Sequence, residues 1–153
     1  MENKKDVSVK INATIRTIDR NTGKILETEK LHNIIVDNGL ERIARRLFSN
    51  STDFYDYIAI GIGTTLETAI DTTLETEVAR QLAGLTYVAA NKAEFTKVFT
   101  FGSAEVYNIT EAGIFDDAIS SGSTMLNRLV FASKSVDVDT SLSVTISISV
   151  GRL

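Results

Sequence analysis

Leu142-Ser143-Val144-Thr145-Ile146-Ser147-Ile148-Ser149-Val150 alternates apolar and hydroxyl side chains without a break. Successive side chains of a strand point to opposite faces, so this stretch has one wholly apolar face and one wholly hydroxyl face. It is a half-buried β-strand, and it sets the class of the fold. The same period recurs near the other end of the chain. There Val7, Val9, Ile11, Ala13 and Ile15 are apolar, and Ser8, Lys10, Asn12, Thr14 and Arg16 are polar. Asp19-Arg20-Asn21-Thr22-Gly23 follows, a polar cluster ending in glycine that reads as a hairpin turn. Residues 24–36 read as the return strand, with an apolar finish at Ile34-Ile35-Val36.

Between these ends the chain reads mostly as strand. Residues 55–63 form a buried strand whose glycines, Gly61 and Gly63, mark a bulge or a close approach of backbone. Residues 85–90, 94–102, 106–115 and 125–133 are further strands, separated by Asn91-Lys92 and by the turn material of residues 116–124. Residues 136–140 read as an edge or a turn. Residues 64–78 read as a surface loop with one helical turn near 74–78. That loop holds Leu66-Glu67-Thr68 and Leu74-Glu75-Thr76, a near-duplicate at a spacing too short for a solenoid repeat.

One helix is expected. Leu40, Ile43, Ala44 and Leu47 recur at helical spacing, after Asp37-Asn38-Gly39. Asn38 or Asp37 is the expected cap, and with Asn38 in that role Glu41 completes a capping box. Arg45 and Arg46 fall in the last turn, where positive charge is favoured. The expected fold is therefore mainly β: an antiparallel β-sandwich with one short α-helix and an N-terminal β-hairpin. The hairpin or arm occupies residues 1–36, and the helix with the sandwich body occupies residues 37–153.

Composition supports this class and excludes several others. Val, Ile and Thr contribute 12, 16 and 18 of the 153 residues, and proline is absent. Side chains branched at Cβ suit a pleated surface. One domain of this length buries an ordinary core. The net charge of −4 gives no reason to expect a nucleic-acid partner. With no cysteine, disulfides, thiolate nucleophiles and cysteine metal sites are excluded, and one histidine cannot build a His-rich cluster. No apolar run approaches the length of a membrane span, and the polar start at residues 1–6 is unlike the usual signal peptide.

The residues that could carry chemistry do not assemble into a catalytic set. His32 stands in a strand without a motif, and is read as a surface or hydrogen-bonded histidine. Gly61-Ile62-Gly63-Thr64-Thr65 lacks the lysine and the spacing of a phosphate loop. Glu111 with Asp116 and Asp117, and Asp137 with Asp139, are read as turn carboxylates; a cation at Asp137 and Asp139 would need further oxygens from a neighbouring subunit. Arg42, Arg45 and Arg46 form a basic helix face suited to solvent or to an acidic neighbour. Tyr55, Tyr57, Tyr87 and Tyr107 could stack on sugar or lie at an interface. No cofactor, metal or enzymatic activity is expected.

Five pieces in fixed order carry a resemblance. They are residues 33–47 (NIIVDNGLERIARRL), 57–65 (YIAIGIGTT), 71–80 (DTTLETEVAR), 109–115 (ITEAGIF) and 124–131 (TMLNRLVF). This order resembles small virion proteins of tailed bacteriophages, commonly labelled tail fibre or minor structural proteins. The hairpin of residues 7–29 lies outside the pattern. The resemblance implies a non-enzymatic structural role, tail or tail-fibre associated, with a capsid or neck fitting and a carbohydrate-binding module at the host-contact end as alternatives. It implies a location in the virion and partners that are further copies of the chain and other virion proteins, with host glycan as a further candidate and no membrane. The candidate interface residues are Arg42, Arg45, Arg46, Tyr57, Glu111 and Arg128. Glu111 is expected to bond a backbone amide or Arg128 of a neighbour, and the strand at residues 142–150 is expected to offer an edge that a neighbour pairs.

Overall fold

A computed structural model describes residues 6–47 and 54–152; the helix end expected at Phe48 and the loop expected at residues 49–53 lie outside the described residues. The elements are β1 (Val7–Asp19), β2 (Ile25–Asn33), α1 (Asp37–Arg46), β3 (Tyr57–Gly61), β4 (Glu77–Leu82), β5 (Gly84–Ala89), β6 (Lys92–Phe99), β7 (Tyr107–Phe115), β8 (Met125–Val136) and β9 (Thr140–Arg152). They form two antiparallel sheets, ordered β2-β1-β9-β6-β5 and β4-β3-β7-β8. The mainly β sandwich with one short helix is the architecture that the alternating patterns require.

The strand that decides the fold class lies at its centre. β9 pairs with β1 on one side and with β6 on the other. It is therefore an interior strand, and the edge expected at residues 142–150 is already paired on both sides within the chain. β1 is a period-two strand, and β6 keeps the period at Ala93, Phe95 and Phe99 with Lys97 as the exception, so a single register aligns nearly all of the three apolar faces. Leu85, Phe95, Ile146, Ala13 and Leu31 form one row across the sheet, and Tyr87, Ala93, Ile148, Ile11 and Asn33 form the next. The N-terminal hairpin is thus part of the five-stranded sheet. Its return strand stops at Asn33, earlier than the pattern suggested, because Ile35 bridges to Asn127 in the other sheet and Val36 is fully buried.

The main core lies between the sheets, where Ile11, Ala13, Ile15, Val144 and Ile146 meet Ile58, Ile60, Ala112, Ile114 and Leu129. A second, smaller core lies on the other face of the four-stranded sheet and holds Val36, Ala59, Leu74, Phe115 and Met125. Leu74 reaches it from the loop after β3, so that loop is a cover and not a surface excursion. The helical turn expected at 74–78 does not form. Glu77 already begins β4, which pairs with β3.

The helix departs from its expected packing and capping. Its cap residue is Val36, with no side-chain cap bond; the Val36 amide donates to Leu126 O at 3.1 Å and the Asp37 amide to Ala69 O at 2.7 Å. Backbone carbonyls of two other segments take the place of an Asn38 side chain. The residue this end buries is Gly39, whose position leaves no room: a Cβ there would lie 2.5 Å from Leu126 O. Leu40, Ile43 and Leu47 instead stay 48%, 37% and 85% exposed. The stripe that helical spacing assigns to the core therefore faces outward.

Gly39→Ala tests this contact. Alanine is the better helix former by roughly 1 kcal/mol, yet the substitution should destabilise by about 1–3 kcal/mol through overpacking against Leu126. Urea unfolding of the variant beside the parent chain gives the sign directly.

Candidate functional site

The densest polar arrangement among the described residues lies where β7, β8 and the loop after β3 meet. Glu111 points to the face of the four-stranded sheet away from the main core and is fully buried. Its Oε1 accepts from the amides of Gly63 at 2.9 Å and Thr76 at 2.8 Å. Its Oε2 accepts from the Glu75 amide at 3.0 Å and from Arg128 Nε at 2.9 Å. A buried carboxylate is tolerable only when its charge is paired and its lone pairs are filled, and both conditions hold here.

Arg128, 3% exposed at its side chain, extends the network. Its Nη1 donates to Asp71 Oδ2 at 2.9 Å, and its Nη2 lies 3.5 Å from Glu75 Oε2. Asp71 also accepts from the Thr68 amide and hydroxyl, and Glu75 accepts from the Thr65 amide. Burial raises the Asp71 carboxyl, but the bonds from Thr68 and Arg128 outweigh it and hold the group below the usual carboxylate value. The Thr65 bonds, more than the Arg128 charge, lower Glu75.

The glycines of the strand-to-loop junction acquire a physical reason. A Cβ on Gly61 would lie 2.5 Å from Glu111 Oε1, and one on Gly63 would lie 2.6 Å from the same atom. They are the close approach of backbone to a carboxylate, with no phosphate cradle involved. Thr110 adds a further tie, its hydroxyl donating to Gly63 O at 2.7 Å. Gly113, between Glu111 and Phe115, leaves space for Asn127 O and Leu74. Five segments named in the resemblance therefore meet here or border it, and the arrangement closes a loop over the second core.

The other candidates are dispersed. Glu111 bonds backbone amides as expected, and the Arg128 it meets is that of its own chain; both side chains are buried within the chain. Arg42 pairs with Asp116 at 2.7 Å, Arg45 with Glu41, and Arg46 lies over the Phe54 ring at 4.9 Å from its centre. The basic helix face is thereby largely compensated inside the chain. Tyr57 is half-buried against the second core. Asp137 accepts from the Asp139 amide at 2.9 Å, a turn role, and His32 Nδ1 lies 2.6 Å from Asn12 Oδ1 on the surface. Tyr55 has a buried phenol without a hydrogen-bond partner; burial first, then the Asp116 carboxylate, push it far above its ordinary value.

The pattern did not single out Asp71, Glu75 or Arg80 for any role. Arg80 stacks on Phe115 at 3.8 Å and pairs with Glu77 at 2.8 Å. A signal existed in the loop, where Asp71 and Glu75 flank the buried Leu74, but nothing in a linear pattern links them to an arginine more than fifty residues away. Among the described residues no group of three or more His, Cys, Asp or Glu could hold a metal ion, and no helix is long and apolar enough to cross a membrane. No family model, curated protein or solved structure matches the chain.

Two outcomes test the network. Glu111→Gln removes the charge that Arg128 Nε and three amides share; breaking a buried pair of this kind costs roughly 3–5 kcal/mol. The same variant should expose the 64–76 segment to proteolysis before global unfolding. The acid limb of stability supplies the second. Asp71 is lowered on folding, so its contribution is complete above the unfolded carboxylate value and is lost as pH falls through the lower folded one. Melting temperature should hold from neutral pH to about 4 and fall below it, and Asp71→Asn should flatten that fall.

Proposed function

We propose that the chain is a non-enzymatic structural component of a tailed-phage virion, tail or tail-fibre associated, which assembles through subunit interfaces. The observation that carries this reading is the unburied apolar surface at one end of the sandwich. The Leu40, Ile43 and Leu47 stripe of α1 faces outward. Beside it Val9, Ile43, Tyr87, Ile148 and Val150 line an open groove of about 510 Å³. Ile43 belongs to both, and exposed apolar surface of this kind is an ordinary mark of a protein contact.

The node at Glu111 supports the same reading from the other side. Its charged groups are consumed in holding backbone, which suits a rigid block more than a reactive cleft. The motif order quoted above adds the phage context. Within that context a capsid or neck position is the alternative placement. A carbohydrate-binding module is a second reading, supported by Tyr55 and Tyr87 in the wall of the groove.

Mass spectrometry of purified particles, with a map of particles carrying a tagged copy of this chain, tests the proposal. The chain should be found in the particle in multiple copies, with density at the tail. Its absence from particles would overturn the virion reading. A glycan array should be silent; saturable binding by a monomer would favour the carbohydrate module instead.

A further inference from the structure

Four strands end the two sheets, and three of them are guarded by charge. β2 turns Glu27 and Glu29 toward β8, where both pair with Lys134, at 3.3 and 2.8 Å. Glu29 also accepts from the Ala132 amide at 3.4 Å, so β2 and β8 close one side of the sandwich together. β4 carries Glu77 and Arg80, and Arg80 reaches across to Asp117 O at 3.0 Å and Ser123 Oγ at 2.8 Å. Inward charges and covered edges are how sheet proteins prevent unwanted pairing.

β5 has no guarding charge and no covering segment; its one irregularity is a register shift between Tyr87 and Ala89, next to the turn into β6. Gly84-Leu85-Thr86-Tyr87-Val88-Ala89 contains no charge and no proline, and all six residues are exposed. It pairs with β6 alone, so its far edge presents unpaired amides and carbonyls. Leu85 and Tyr87 belong to the rows that form the main core further in, yet they are 54% and 77% exposed. The four-stranded sheet does not reach over them. Ala83 joins β4 directly to β5, its amide donating to Asp56 O at 2.7 Å, so this edge is held at its root.

We propose that β5 pairs antiparallel with β5 of a second copy about a two-fold axis, joining the five-stranded sheets into one of ten strands. Unpaired backbone calls for a strand as occupant. A neutral strand meets its own copy without like-charge repulsion, whereas Glu27, Glu29 and Lys30 of β2 would bring charge to the seam. In such a pair, facing residues share a sheet face, so the axis passes at Thr86 or at Tyr87. Leu85 and Tyr87 of both copies then leave water on one side of the seam. The inference deepens the assembly reading and rests on it in one respect, that the chain works as one of several like copies.

The absence of cysteine makes the test clean. Under mild oxidation, Thr86→Cys or Tyr87→Cys should convert most of the purified full-length chain to a covalent dimer, while Thr28→Cys on the β2 edge stays at background. Sedimentation equilibrium should give a concentration-dependent dimer for the parent chain and a monomer for Tyr87→Lys that still unfolds cooperatively, with a melting temperature that no longer rises with protein concentration. Mixing Tyr87→Lys with Tyr87→Glu should restore the dimer. A parent chain monomeric at all concentrations, an oligomer that survives Tyr87→Lys, or stronger crosslinking at Thr28 each overturns the proposal. So does protection of the β5 amides from exchange only when a different particle protein is added, which assigns the edge to that protein's strand. Crosslinking in a chain that never enters particles would leave β5 pairing intact and remove the virion reading alone; particle incorporation without crosslinking does the reverse.

Discussion

The carboxylate of Glu111 accepts four hydrogen bonds, three from the backbone of one loop and its approach and one from Arg128. Much of the four-stranded sheet depends on that arrangement. The loop it holds delivers Leu74 to the second core, and that core covers Ala59, Phe115 and Met125 on the sheet's outer face. Without the cover those side chains would face water. A charge at 0% exposure would be costly to bury, but this one is matched by a guanidinium and by amides that have no other partner. The requirement propagates into the chain. Gly61 and Gly63 are needed because the carboxylate oxygen comes within 2.6 Å of where their side chains would begin.

This arrangement gives the four-stranded sheet two buried faces, while the five-stranded sheet has one. The asymmetry explains the burial of β7, where seven consecutive residues from Ile109 to Phe115 are buried. It also explains why the hydroxyl face of β9 needs no cover of its own. Ser143 and Ser147 are shielded by the neighbouring strands β1 and β6, and the Ser147 hydroxyl reaches Asn12 O.

Periodicity alone made the sheets legible. β1 and β9 alternate so strictly that their class and faces follow from the residues, and the hairpin turn at Asp19–Gly23 is written in its composition. What could not be read was the order of strands, because pairing of β1 with β9 spans nearly the whole chain and no local signal encodes it. The helix shows a different limit. Leu40, Ile43 and Leu47 have the spacing of a buried face, but spacing reports which residues share a side and not whether anything covers it. Val36 acts as the cap because carbonyls from Ala69 and Leu126 are close, a tertiary fact that overrides the preference for Asn38. The pattern groups Glu111 with the turn carboxylates Asp116 and Asp117, yet it is buried within β7; only its expected bond to a backbone amide holds. Its partners Asp71 and Glu75 were hidden in a segment whose composition resembles any solvated loop.

The pairing of β1 with β9 also bears on how the molecule reaches its fold. Asp19 lies opposite Thr140 and Val7 opposite Arg152, so the central seam of the larger sheet cannot begin to zip until β9 emerges from the ribosome. At roughly 5–20 residues per second, β1 waits for roughly 6–24 seconds as a nascent strand bounded only by β2. During that interval Ile11, Ala13 and Ile15 lack the flanking strand that completes their sheet, although the strands of the opposite layer emerge first. Until β9 emerges, the nascent hairpin depends on its polar residues Lys10, Asn12 and Arg16 for solubility.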